Sequence, residues 1–188
     1  IYRKLAYHPT NDFAPISLFA ITQNILVINP GLPFKGVKDI VANAKANPGK
    51  LRMSNAGSGF QSHLAGVLFT HMAGIDVLHV PYKGGASLIA VLSNESQFTI
   101  APGPAVMGHV RGGRLRALAT GGEKRSPITP ELPTIGESLP GFVVNADKIK
   151  AMVVYEGPVS APIKEGQQIG YLRVTPAEGD ARESPLYA

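Results

Sequence analysis

Residues 51–72 read LRMSNAGSGFQSHLAGVLFTHM, and this stretch decides the fold. Residues 51–54 predict a short strand, and residues 55–59 contain two glycines and predict a turn. Residues 61–72 carry apolar side chains at helical spacing. A strand that passes through a turn into a helix is the repeating unit of α/β proteins.

The same alternation extends in both directions along the chain. The expected strands lie at residues 25–28 within the β-rich residues 13–29, and at residues 77–80, 97–100 and 115–120; the other expected helices lie at residues 37–47, 86–93 and 104–110. Helical crossovers favour parallel neighbours. We therefore expect residues 14–120 to form an α/β structure with a mainly parallel sheet of about four to five strands.

The pattern changes after residue 121. Residues 123–142 contain four prolines and predict an irregular connecting segment. Residues 151–155 and 168–174 predict strands of an antiparallel ribbon within residues 150–188.

The formal charge changes near the same place, from +6 over residues 1–143 to −1 over residues 144–188. We therefore predict an α/β domain over residues 1–143 and a small β module over residues 144–188.

Composition excludes several classes of protein. The 188 residues include no cysteine, so disulfides and thiolate metal sites are excluded. No apolar run reaches the roughly 18 residues of a membrane span, and residues 1–9 contain no apolar export signal, so we expect no direct membrane insertion and either an intracellular chain or a start that has been removed. The net charge of +5 comes from scattered residues without interleaved aromatic side chains, so we expect no nucleic-acid partner.

The turn within residues 54–63 is the strongest candidate for a binding site. Glycines allow tight turns, and the first amides of a helix have no partner within it. Together with the helix dipole, those amides attract anions. The candidate ligand-binding residues are Ser54, Asn55, Gly57, Ser58, Gly59, Ser62 and His63. The alternative is a plain turn in which a serine caps the helix.

Other chemistries fit this turn less well. The Gly-Lys-Ser/Thr ending of a P-loop and the third glycine of a dinucleotide fingerprint are absent, and the spacing does not match a nucleophile elbow. The five histidines form no pair with metal-ligand spacing. We predict no catalytic residue, no metal and no cofactor. His63 is then either a wall of the anion site or a half-buried helix residue.

A second strand-to-helix turn, residues 79–85, reads HVPYKGG. Tyr82 and Lys83 stand where loops that follow parallel strands gather around a crevice, so both are candidates for ligand binding. The alternative is an ordinary surface loop.

Six motifs occur in one order: DFAPISL at residues 12–18, NAGSG at 55–59, VPYKG at 80–84, GRLRALA at 113–119, KRSP at 124–127 and LPTI at 132–135. Together they resemble the Bug/TctC family, the periplasmic receptors of tripartite tricarboxylate transporters, over about residues 1–142. The resemblance implies a periplasmic two-lobed protein that closes on a small organic carboxylate and works with membrane transporter subunits. It also implies that the α/β part of this chain is one lobe of a periplasmic-binding-protein-like fold. In the family, a glycine-rich turn from each lobe holds the carboxylate, and the second-lobe turn matches residues 54–63, with Tyr82 and Lys83 on another wall.

Two features depart from the family pattern. Members begin with a strand and turn of the first lobe upstream of the part that matches Tyr2, so we expect carboxylate binding by this chain to be impaired. Ala101 stands where many members carry an aspartate, so the resemblance does not extend to recognition of a polar group at the far end of the ligand.

The tail, about residues 147–188, resembles the latter half of the C-terminal β-domain of low-molecular-weight D-alanyl-D-alanine carboxypeptidases. The resemblance rests on residues 149–151, 153–159, 161–166, 169–172 and 185–188. That domain is not catalytic in the family, and the Ser-x-x-Lys motif of the peptidase is absent here. The chain therefore resembles a truncated fusion of two families. We predict a non-enzymatic carboxylate-binding module, and the alternative is a non-catalytic module associated with the cell wall.

Overall fold

The structure is a computed structural model that describes residues 22–144 and the strands at residues 150–154, 168–175 and 182–187. The strands are β1 (Asn24–Ile28), β2 (Arg52–Asn55), β3 (Leu78–Pro81), β4 (Phe98–Pro102), β5 (Arg116–Thr120), β6 (Lys150–Val154), β7 (Gln168–Thr175) and β8 (Arg182–Tyr187). The helices are α1 (Val37–Ala46), α2 (Gln61–Ala73), α3 (Ala86–Leu92) and α4 (Gly103–Arg111), with a 3-10 turn at Ile135–Glu137. Three parts of the sequence-based prediction lie outside the described residues: the motif at residues 12–18, the β-rich residues 13–21, and Tyr155 at the end of the strand expected at residues 151–155.

The α/β alternation is confirmed, and the five strands form one sheet in the order β3-β2-β4-β1-β5. Strand β2 is parallel to β3 and β4, whereas β1 is antiparallel to β4 and β5. Four of the five strands therefore run in one direction, and the sheet is mixed. The expected parallel arrangement fails only at β1, which lies between β4 and β5 and runs against both, although α1 leads from it to β2.

Both faces of the sheet are covered. Leu26 and Ile28 of β1 pack in the cluster that includes apolar residues of α1 and α2, and Ile25 and Val27 pack with Val91 of α3 and Val106 of α4. Because successive side chains of β1 point to opposite faces of the sheet, this one strand contributes to the apolar core on each face.

The connecting segment, residues 121–144, passes from the α3/α4 side of the sheet, where Leu132 packs, to the α1/α2 side, where Ile135, Phe142 and Val144 pack. The segment is irregular apart from the 3-10 turn, as its prolines predict. Phe142 is buried edge-to-face against Phe69 of α2, with ring centroids 6.2 Å apart, and Val144 N–H donates to the Gly121 carbonyl at 2.8 Å. The connecting segment therefore belongs to the α/β core as far as residue 144.

The tail forms a separate three-stranded antiparallel sheet in the order β6-β7-β8. None of its three described strands pairs with the five-stranded sheet. The first two strands were predicted from the sequence, whereas Pro185 within β8 obscured the third.

The imidazole of His79 lies between β3 and α2. Its Nε2 is 3.3 Å from Thr70 Oγ1, its ring stands edge-on to that of His63 at 6.0 Å, and its buried Nδ1 has no partner within the described chain. Gly66 makes room here, because a Cβ at that position would press against Met53 and His79. Burial, followed by the neighbouring His63, lowers the pKa of His79 to about 4, against a smaller opposing effect of Asp76.

We expect Phe69→Ala to lower the free energy of unfolding by about 3–5 kcal/mol, because it removes a fully buried ring that contacts Phe98 and Phe142. Urea unfolding followed by circular dichroism measures the change. Ile89→Ala is the control, since Ile89 is 64% exposed and its loss should cost less than about 0.5 kcal/mol. Equal losses in the two variants would contradict this packing.

The pKa of His79 predicts a pH-dependent stability. Above its unfolded pKa of 6.5 the imidazole is neutral in both states, and below it only the unfolded chain takes up the proton until the pH reaches about 4. The lost stability from this group is about 2 kcal/mol at pH 5. Urea midpoints between pH 7.5 and 5 should therefore fall steeply for the parent and less steeply for His79→Gln. Parallel pH profiles of the two proteins would rule out this origin.

Candidate functional site

One edge of the five-stranded sheet collects the loops that could bind a ligand. Strands β2, β3, β4 and β5 end at this edge and β1 begins at it, because β1 runs in the opposite direction. Residues 56–60 follow β2 and residues 82–85 follow β3. Ligands of open α/β sheets bind outside the carboxyl ends of the strands, so this edge is the candidate site.

The β2–α2 turn requires its glycines. Gly57 has a φ of 126° and Gly59 a φ of 79°, angles that side-chain-bearing residues rarely adopt. Asn55 Oδ1 accepts a hydrogen bond from Gly57 N–H at 3.0 Å, which closes the turn on itself. The backbone of the turn is therefore fixed before any ligand arrives.

Two side chains from the first turn of α2 reach back into the loop. Ser62 Oγ accepts from Ala56 N–H at 2.9 Å, and His63 Nδ1 accepts from Gly59 N–H at 2.9 Å. The second bond places the proton of a neutral His63 on Nε2, and burial lowers the pKa of His63. The neutral His63 side chain therefore holds the loop in place through its hydrogen bond with Gly59.

Ser54 faces the protein interior. Its hydroxyl donates to the Ser87 carbonyl of α3 at 2.7 Å, and its carbonyl accepts from Thr99 Oγ1 of β4 at 2.7 Å. It thus joins β2 to its neighbours and presents no free donor at the edge.

Three backbone amides of the β2–α2 turn remain open as donors. Ser58, Gln61 and Ser62 N–H have no acceptor within residues 22–144, and Ser58 is exposed. They lie at the start of a 13-residue helix whose N-cap, Phe60, makes no side-chain cap. The helix dipole and these amides together favour an anion.

The β3–α3 loop is bound to this turn through the backbone. Tyr82 N–H donates to the Asn55 carbonyl at 2.9 Å, and Gly84 N–H donates to the Ala56 carbonyl at 3.3 Å. The Tyr82 hydroxyl is buried beside Ser96 and Glu95, which precede β4, and burial raises its pKa. Lys83 is exposed on the same loop. The two predicted loops are thus brought together, with Tyr82 contributing its backbone and Lys83 its charge.

Two residues at this edge were not predicted from the sequence as part of the site. Asn24 opens β1, and its fully buried carboxamide has no hydrogen-bond partner within the described chain. Phe60 is 57% exposed beside Gly57, with its Cδ2 3.3 Å from where a Gly57 Cβ would stand. For Phe60 the sequence did contain a signal, because an aromatic residue stands at the N-cap of α2, where a short polar side chain is usual.

A cavity of about 540 Å³ lies between α4 and residues 126–129. Gln23, Met107 and Arg111 are part of its wall, and none of the nine predicted ligand-binding residues lines it. It is distinct from the anion turn.

Within residues 22–144 no three His, Asp or Glu side chains lie close enough together to hold a metal ion. No helix that the structure describes combines the length and hydropathy needed to cross a membrane.

Comparisons with known proteins agree with this architecture. Residues 1–157 match the tripartite tricarboxylate transporter family receptor, and residues 138–188 match the penicillin-binding protein 5 C-terminal domain. Protein BugT of Bordetella pertussis is 34% identical over 143 residues, and the UPF0065 protein in the gbd 5' region of Cupriavidus necator is 35% identical over 140. These matches cover 75% and 74% of this chain but 44% and 43% of the relatives, so the chain spans less than half of their length.

Two solved structures are similar in fold. R. palustris Rpa4515 with adipate has a TM-score of 0.72 and 34% identity, covering 76% of this chain and 48% of the other. MatC from Rhodopseudomonas palustris with bound malate has a TM-score of 0.68 and 27% identity, covering 75% and 49%. The five-stranded sheet is therefore one lobe of a periplasmic-binding-protein-like fold, and the chain belongs to the tripartite tricarboxylate transporter receptor family.

Proposed function

We propose that the chain binds a small organic carboxylate at the β2–α2 turn, as the second lobe of a periplasmic receptor for a tripartite tricarboxylate transporter. The observation that carries the proposal is the group of three open amides, at Ser58, Gln61 and Ser62, on a turn that is already closed by its own hydrogen bonds. Related solved structures hold adipate and malate, which supports a carboxylate as the anion.

Each predicted residue then has a defined part in binding. The Ser58 hydroxyl and the open amides donate to the carboxylate, and Asn55, Gly57 and Gly59 give the turn its shape. Ser54 and His63 hold the turn in place from behind, and Ser62 does so through its hydroxyl. The Tyr82 backbone fixes the second loop, and Lys83 adds a solvent-screened positive charge.

Binding, rather than catalysis, suits these groups. The His63 Nδ1 already accepts a hydrogen bond from Gly59, so it is not placed to take a proton from a ligand. We propose a non-enzymatic role in the periplasm, with membrane subunits of the transporter as partners.

The tail supports a second candidate function. Its antiparallel sheet and its match to the penicillin-binding protein 5 C-terminal domain are consistent with a non-catalytic module associated with the cell wall. We place the division between the modules close to residue 143, because Phe142 and Val144 still pack in the α/β core and β6 begins at Lys150. The two family matches overlap at residues 138–157, which includes that point.

The carboxylate proposal is tested by titrating the backbone amide NMR shifts of the 188-residue chain with sulfate, malate and adipate. Shifts should concentrate at residues 55–62. We expect dissociation constants no tighter than about 100 μM, because an anion held by one wall stays partly hydrated. A carboxylate that binds with a submicromolar dissociation constant would contradict a weak site formed by one lobe.

Three variants locate the site. Gly59→Val should remove the shifts, because valine does not tolerate a φ of 79° and the turn would reorganise. Gly113→Val is the matched control, since Gly113 has a φ of 68° in the turn after α4, away from this edge. Lys83→Ala should weaken binding by less than about threefold. If Lys83→Ala abolishes the shifts while Gly59→Val preserves them, the anion site is a surface charge and the turn is not involved.

A further inference from the structure

We propose that Phe60 selects the ligand by contact with its apolar body, so that the site takes carboxylates with an aliphatic or aromatic chain in preference to hydroxylated ones. The inference rests on the proposed carboxylate site and adds the class of ligand.

The exposure of Phe60 is the first observation. Phe34, Phe69, Phe98 and Phe142 are buried, whereas Phe60 leaves 57% of its surface in contact with solvent. Its position beside the binding turn makes the ring available to a ligand there, and a ligand that covers it would remove apolar surface from water.

The position of Phe60 in α2 is the second observation. The N-cap usually carries a side chain that accepts a hydrogen bond from the first helical amides. Phenylalanine has no such acceptor, and no side-chain cap is made here. The same residue therefore leaves the amides of Gln61 and Ser62 open and supplies an apolar surface directly beside them.

The position of the Phe60 ring relative to the turn is the third observation. The ring edge lies over Gly57, since a Cβ on Gly57 would stand 3.3 Å from Phe60 Cδ2 and 3.5 Å from Cε2. The Tyr82 carbonyl of the second loop is 3.6 Å from the same point. A carboxylate on the open amides would thus place its next carbon atoms alongside the ring and the seam between the two loops.

The chemistry of the ring defines the ligand class. Methylene or aromatic carbons gain from contact with phenylalanine because both surfaces leave water. A hydroxyl packed against the ring gains no hydrogen bond from phenylalanine, so contact with the ring favours an apolar chain over the hydroxylated chain of a sugar acid.

Hexanoate and gluconate make a suitable pair of probes, since both are six-carbon monocarboxylates and only gluconate carries hydroxyls along the chain. Sulfate tests the anion site alone. Amide NMR titrations of the full chain with each probe compare the parent with Phe60→Ala, Phe60→Leu and the exposed control Ile89→Ala.

We expect the parent to bind hexanoate at least about fivefold more tightly than gluconate. Phe60→Ala should weaken hexanoate by about fivefold to tenfold and change sulfate by less than about twofold. Phe60→Leu should restore most of the hexanoate affinity, and Ile89→Ala should match the parent.

Two results overturn the inference and leave the carboxylate site standing: equal affinities of the parent for hexanoate and gluconate, or a Phe60→Ala variant that weakens sulfate as much as hexanoate. In the second case the ring serves only to support the turn. If no probe shifts the amides of residues 55–62 in the parent, the proposed function itself fails.

Discussion

The burial of β1 on both faces is the constraint on which the rest of the lobe depends. All five of its side chains are buried, and they supply alternate residues to the α1/α2 core and to the α3/α4 core. The strand also pairs with both β4 and β5, so it joins the edge strand β5 to the rest of the sheet. Because it runs against its neighbours, its first residue, Asn24, lies at the edge where β2 and β3 end. The packing of one strand thus sets which loops share the site.

The β2–α2 turn satisfies most of its own backbone before a ligand arrives. Asn55, Ser62 and His63 take up three amides that an anion could otherwise have used. This reduces the number of donors available for binding, but the remaining donors are held in a fixed arrangement, and a preorganised site loses less conformational entropy when it binds. The backbone hydrogen bonds from Tyr82 and Gly84 extend the same rigidity to the second loop.

The element order was predictable from the sequence, because helical spacing and glycine or proline stops are local signals that the lobe follows closely. The direction of β1 was not, since it depends on which distant strands it pairs with. The turn itself was predicted, but the roles of individual residues were harder to infer. The alternation of side chains along β2 puts the Ser54 side chain on the face opposite those of Met53 and Asn55. There its hydroxyl bonds to α3, while its backbone carbonyl bonds to a side chain of β4. The sequence places Tyr82 in the right loop, yet the course of its long side chain away from the turn depends on packing near Ser96.

The proposed anion site combines charge that acts at long range with donors that act at short range. Residues 1–143 carry a net charge of +6, and within the described chain the ion pair of Arg125 and Glu137 lies on the surface, outside the two binding loops. The described donors at the turn are backbone amides and a serine hydroxyl, none of which titrates near neutral pH. The net charge therefore acts at long range, where it raises the rate of encounter with anions and weakens with salt. Short-range recognition depends on groups whose donor capacity is constant. Ligand binding near neutral pH should then respond to the ionisation of the ligand itself, while acid acts on the lobe through the buried imidazoles of His63 and His79 that support the turn.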